Sequence, residues 1–252
     1  GEPETPQPAR ASRLPRLIAI GLVVLALLLL LRFQVFVVRN LRVSGAGDIP
    51  VDTIAKNIGM DRSLFYFTLT EQQVRERVNA NHYLVFEGME KVFPDTLLLK
   101  VRSRRPFAFF SHLGIGYVLA QDGVILQQSR DLSQGQGLIA INGLAVVQQT
   151  SLPGGLPAST EPGQAEEMVG LLSELDTWGF DGDIAAVDVS NALNLSMLTR
   201  DGFTINLGDS AYLHAKVGTV QAVVGALRAN QISGGIIEAT LPGEATYRAA
   251  PQ

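Results

Sequence analysis

The side chains best suited to proton transfer or metal ligation near neutral pH are three histidines, His82, His112 and His214. They lie far apart in the chain, and none has a second histidine or a carboxylate at the spacing a metal site uses. No HExxH, GxSxG, SxxK or Walker A pattern occurs. Gly114-Ile115-Gly116 and Gly135-Gln136-Gly137 lack the third glycine and the strand-to-helix setting of a dinucleotide loop, so they read as turns. Asp181-Gly182-Asp183 offers two carboxylates but no further oxygen ligands at calcium-loop spacing, and reads as a loop. The chain contains no cysteine, which removes disulfides, thiolate metal sites and cysteine nucleophiles together. The expectation is a protein without catalytic residues, metal or cofactor, and not an enzyme.

Charge narrows the partners. With 24 acidic against 20 basic residues and a net charge of −4, the chain has no overall attraction for polyanions. The cluster Arg102, Arg104, Arg105 abuts Pro106 and Phe107 and reads as the end of a strand, so no nucleic-acid role is expected.

From Leu17 to Leu31 the sequence LIAIGLVVLALLLLL carries no charge, and apolar residues resume after Arg32 as far as Val38. At about 1.5 Å per residue, a helix over 17–38 reaches roughly 33 Å, enough for a hydrocarbon core of about 30 Å. No small-x-small cleavage site comes after it, so the reading is a retained single-pass anchor over 17–38 and not a removed signal peptide. Arg10, Arg13 and Arg16 before it balance Arg32, Arg39 and Arg42 after it, so the positive-inside count does not orient it. The layout does: a short Pro-rich tail, 1–16, is placed in the cytoplasm and everything beyond the helix outside the cell membrane.

Two modules lie beyond the anchor. In the first, VFVVRNLRV (35–43) reads as a strand, and Ile54 and Ile58 mark a short helix that Gly59 stops. Thr70 and Gln73 form a capping box, with Leu69 and Val74 at the staple positions of a second helix. Strands over 83–92 and 96–102 flank Phe93-Pro94-Asp95. The order is β-α-α-β-β. In the second module, Asp122-Gly123 and Asp201-Gly202 sit between apolar runs as hairpin turns. A loop rich in Gly, Ser, Pro and Gln over 131–164, interrupted by the apolar LIAI of 138–141, separates them, and a helix carrying Met168, Leu171, Leu172 and Leu175 comes next. A helix over 212–229 and two short strands, 236–240 and 245–249, end the chain. The fold class expected is α+β: one transmembrane helix, the β-α-α-β-β module, and a mixed α/β domain with an antiparallel sheet.

The β-α-α-β-β order, with Val43-x-Gly45 closing the first strand, resembles a POTRA module. The stretch VFPDTLLLKVRSRRPFAFF (92–110) is similar to the V-x-x-P-x-x-L-x-I-x-V-x-E-R-x-P signature of FtsQ/DivIB cell-division proteins. Pro94, Leu97, Leu99, Val101, Arg104 and Pro106 match, and Ser103 stands where the family has Glu. YVLAQDGVIL (117–126), the D-G-x-x-x-x-L-G run of 201–208, the helix bearing Lys216 and the terminal strand pair resemble the family's β-domain in the same order. The resemblance divides the chain into a tail (1–16), a membrane helix (17–38), a POTRA module (39–106) and a β-domain (107–252).

The resemblance implies a non-enzymatic scaffold of the division septum. Its terminal strand and preceding helix would receive an FtsB/DivIC-like protein working with an FtsL-like one, in control of septal peptidoglycan synthesis. Other division proteins would dock through the POTRA module. Carried over residue by residue, the partner-binding set is Ala245, Thr246, Tyr247, Arg248 and Ala249, with Leu213 and Lys216 on the helix. Tyr247 has two readings that its sequence leaves open, an anchor for the partner and a cover for its own core edge. A POTRA-bearing secretion or envelope-assembly factor is the alternative, although the residues after the module are too few for a barrel. A membrane-anchored cell-wall enzyme is the third reading, and it lacks a nucleophile or metal-ligand motif.

Overall fold

The computed structural model describes residues 14–34, 37–60 and 64–249. The expected tail therefore lies largely outside the described residues, as do the first two residues of the strand expected from Val35. Helix α1 runs Leu14–Gln34, and its described side chains, Leu17 to Leu29, are all exposed.

The expected span over 17–38 is corrected. No helix among the described residues is long and apolar enough to cross a membrane. The apolar run does not stay helical as far as Val38 either. Val37 forms an isolated bridge with Phe65, and the buried Val38 donates its amide to Leu64 O at 2.8 Å. An apolar run sets where water is avoided, but the hydrogen-bond partners at its end decide where helix gives way to extended chain.

The chain divides into two compact units, one ending at Val78 and adding Phe86–Arg102, the other formed by Asn79–Val85 and the chain from Ser103. In the first, β1 (Asn40–Ser44), α2 (Val51–Ile58), α3 (Glu71–Asn79), β2 (Leu84–Val92) and β3 (Thr96–Ser103) come in the expected order. The sheet is ordered β1-β3-β2, with β1 parallel to β3. Ile54 and Ile58 of α2, Val74 and Val78 of α3, and Leu97, Leu99 and Val101 of β3 form its buried layer. Each such side chain contributes about 1.5–3 kcal/mol relative to exposure.

The local signals act as their chemistry requires. Gly59 ends α2 in the left-handed region at φ 84°, and Arg77 Nη1 donates to the carbonyl of Ile58 at 2.7 Å. Thr70 Oγ1 accepts the Gln73 amide, and Gln73 Oε1 accepts the Thr70 amide, both at 3.3 Å. The staple residues Leu69 and Val74 are both buried.

The second unit is built on one nine-stranded sheet. Its strands are β4 (Pro106–His112), β5 (Ile115–Ala120), β6 (Ile125–Ser129), β7 (Ile139–Asn142), β8 (Ile184–Asp188), β9 (Leu195–Thr199), β10 (Phe203–Gly208), β11 (Gly235–Glu238) and β12 (Thr246–Arg248). Their order is β12-β11-β10-β9-β8-β7-β4-β5-β6. Helices α4 (Gln164–Thr177) and α5 (Leu213–Ala229) bury Met168, Leu171, Leu172, Leu175, Val217, Val220 and Val224 in one core with the sheet.

The antiparallel sheet expected here is corrected to a mixed one: β4 and β7, β7 and β8, and β10 and β11 pair in parallel. The parallel pairs arise because long connections return β7 and β8 to the sheet, and α5 returns β11 beside β10. The segment read as a loop over 131–164 contains β7. It is held by the buried Gln164, whose Nε2 donates to Gly143 O and Val189 O and whose Oε1 accepts from Ala145 N and Ser159 Oγ.

Candidate binding edge of the second sheet

Strand β12 is the last strand of the nine-stranded sheet and pairs only with β11, antiparallel, in the register Ile236↔Arg248, Ile237↔Tyr247, Glu238↔Thr246. The direction of its free backbone groups is set by alternation along β11. Ala239 N donates to Asn206 O of β10 at 2.8 Å, so the groups of Ala239 and Ile237 face β10. Those of Ile236 and Glu238 therefore face β12 and bond Arg248 and Thr246. The amide and carbonyl of Tyr247 point away from the sheet, and those of Ala245 and Ala249 share that direction. None of them has a backbone partner among the described residues.

Side chains fix β12 onto the sheet from both faces. The half-buried Tyr247 ring packs edge-on to Phe203 with centroids 6.3 Å apart, and its hydroxyl donates to Gly234 O at 3.2 Å. Of the two readings open for Tyr247, this geometry gives the ring to its own core edge, and it leaves the backbone free. Ala245 packs against the same core. On the other face Glu238 Oε1 accepts from Asn206 Nδ2 at 2.9 Å and Arg248 Nη2 at 3.1 Å, a charge-balanced ladder over three strands. Thr246, Arg248 and Ala249 are exposed.

Gly235 makes this approach possible. Its φ is +119°, and a Cβ there would lie 2.5 Å from Tyr247 Cε2 and 2.7 Å from Arg248 O. In the sequence Gly234-Gly235 reads only as a break. A glycine at the start of a short strand also signals close backbone approach, and that signal is present here.

The two helical residues expected at the interface lie inside the unit. Leu213 is 8 % exposed and belongs to the core, and Lys216 is 1 % exposed. Lys216 Nζ donates to both Asp209 O and Asp209 Oδ1 at 2.9 Å, pinning the turn that precedes α5. That hydrogen bond holds the Asp209 carboxyl below the usual carboxylate range. Both residues position the sheet end, and neither presents a side chain to a partner.

The opposite edge of the sheet is covered at its first residue, Ile125. Strand β6 gives its outer side to a strap, residues 151–155: Ile125 N donates to Gly155 O at 2.9 Å and Gly154 N to Ile125 O at 2.8 Å. Gln128 Nε2 adds a bond to Ser151 O. Ser151 is itself fully buried, donating to Val147 O at 2.9 Å and accepting Ala158 N at 3.0 Å.

The groups first considered for chemistry are engaged structurally. Asp181 pairs with Arg105 at 2.9 Å and Asp183 with Arg228 at 2.8 Å, so arginines neutralise the carboxylates of that loop. His214, isolated in sequence, is brought to Glu174 at 2.8 Å, and its ring lies beside Trp178. Among the described residues no group of three His, Cys, Asp or Glu could hold a metal ion.

Fold and edge together define the class: a two-unit α+β protein with mixed sheets, whose larger sheet ends in a strand with an outer backbone edge unpaired among the described residues. No family model matches the chain, and no curated protein matches it.

Proposed function

We propose that this chain is a non-enzymatic scaffold of the bacterial divisome, of the FtsQ/DivIB type, acting at the septum outside the cytoplasmic membrane. Its second unit receives a strand from an FtsB/DivIC-like protein, which works with an FtsL-like one, and this contact helps control septal peptidoglycan synthesis. Further division proteins meet the first unit.

The observation that carries the reading is the outward backbone of β12. An extended segment laid beside it gains main-chain hydrogen bonds at Tyr247 and its alternate neighbours, the mode known as β-augmentation. The recognition surface is accordingly Ala245, Tyr247 and Ala249 through their backbone and Thr246 and Arg248 through exposed side chains. The sequence motifs around Pro94, Arg104, Pro106 and Asp201 to Gly208 supply the family proposal.

The test is deletion of Gly243 to Gln252, with titration of the FtsB/DivIC homologue of the same organism. Binding is expected to disappear while the remaining sheet unfolds cooperatively as before. Undiminished binding overturns the edge reading, and a uniform distribution of a fluorescent fusion over the cell envelope overturns the division role.

A further inference from the structure

The three-stranded sheet has two faces, and the described residues of its unit cover one of them. Leu97, Leu99 and Val101 of β3 are buried on the side of the core, whereas Leu98, Lys100 and Arg102 alternate onto the other. The parallel register sets Arg42 beside Leu98 and Ser44 beside Lys100, so β1 contributes to the same open face.

That face holds a groove of about 550 Å³ lined by Arg42, Leu98 and Lys100 together with Glu87, Met89 and Glu90 of β2. The charges are unequally engaged. Arg102 pairs with Glu87 at 3.4 Å, but Arg42 and Lys100, both exposed, form no ion pair among the described residues. The β1–β3 side of the groove is therefore left positive, beside an apolar strip of Leu98 and Met89, while Glu87 lies on the β2 side in its pair with Arg102.

From this charge pattern and shape we propose that the open face docks an amphipathic helix of a protein partner, with acidic residues along the flank that faces Arg42 and Lys100. A strand would add at an edge, through backbone groups. A face three strands wide spans about 10 Å between its outer strands and matches a helix, whose diameter is about 10–12 Å. Apolar residues at i, i+3, i+4 and i+7 would cover Leu98 and Met89. A nucleic acid fits poorly, because its phosphates would meet Glu87. The groove belongs to the first unit and is independent of the strand-pairing edge.

The test uses the full chain and two synthetic helical peptides sharing one leucine stripe, one flanked by glutamates and one by lysines. Fluorescence anisotropy is expected to show the glutamate peptide binding at least tenfold more tightly at low salt, the margin shrinking as salt screens the contact. Arg42→Glu with Lys100→Glu is expected to invert the preference, and Arg42→Gln with Lys100→Gln to abolish it. Equal binding of the two peptides, no binding, or a preference that survives the glutamine pair overturns the proposal. Binding to phosphatidylglycerol vesicles that the glutamine pair abolishes overturns it in favour of a lipid surface.

Discussion

The two ends of the nine-stranded sheet treat the same hazard in opposite ways. A sheet edge exposes backbone donors and acceptors that invite another strand. At the start of β6 the chain covers them itself, with the 151–155 strap bonded to both backbone groups of Ile125. At β12 no described residue does so, although Tyr247, Glu238 and Arg248 hold that strand firmly to its neighbour. The side chains at β12 thus keep a short edge strand in place, while its outward backbone groups have no partner among the described residues. The difference teaches that exposure of an edge here is selective.

Substitution of Gly235 should have the largest effect on this contrast. Gly235→Ala forces a Cβ against Tyr247 and Arg248 O at a φ of +119°, and is expected to cost about 3 kcal/mol and release β12. Denaturant unfolding measures the first effect, and titration with the FtsB/DivIC homologue the second. Stability unchanged from the parent would show that β12 does not depend on that close approach.

Acid should loosen the same end of the sheet. Arg228 donates to Asp201 at 2.7 Å, and this bond lowers the Asp201 carboxyl to about 2. A depressed folded-state value means that the stabilisation is present above the unfolded value near 4 and fades as pH falls toward 2. The expected loss between pH 5 and pH 2 is about 2 kcal/mol. Asp201→Asn should flatten that part of the stability curve, and an unchanged slope would remove Asp201 from the account.

Proline separates the outward from the inward backbone of β12. Ala249→Pro removes an outward donor and is expected to weaken partner binding about tenfold, roughly 1.4 kcal/mol, with little change in melting temperature. Arg248→Pro removes a donor that faces β11 and should lower the melting temperature as well. If the two variants behave alike, the direction assigned to Tyr247 is wrong.

The smallest effect belongs to the covered edge. Ser151→Ala leaves the Ala158 amide without its acceptor, and is expected to cost about 1 kcal/mol. Hydrogen exchange at the Ile125 and Gly154 amides should quicken, while exchange in β11 stays as it was. Unaltered exchange at Ile125 would mean that Ser151 does not hold the strap.

Local signals are legible wherever one or two neighbouring residues decide the conformation. Thr70 with Gln73, Gly59 at the end of α2, and Gly123 and Gly202 in their hairpins all behave as their types dictate. Strand β8 escapes sequence reading altogether, because IAAVD is short and its apolar residues do not alternate cleanly. Strand β7 shows only as the apolar interruption LIAI, since what makes it a strand is its pairing with β4 and β8, more than twenty residues away on either side. Of the expected binding residues, Thr246, Tyr247 and Arg248 form the strand β12, which the apolar and β-branched run of 245–249 suggests. Leu213 and Lys216 come from the resemblance, and their burial depends on Asp209 and the packed core, which no local pattern records.

By itself the sequence determined the element order of the first unit, the turns, the two long helices of the second and the absence of cysteine chemistry. Each is a consequence of short-range sterics, capping or composition. Only the tertiary structure decided that the apolar helix ends at Gln34, that the larger sheet is mixed, and that Tyr247 turns its ring inward and its backbone outward. The physical reason is shared: hydrogen-bond partners and buried neighbours distant in sequence select among conformations that the local chain permits equally.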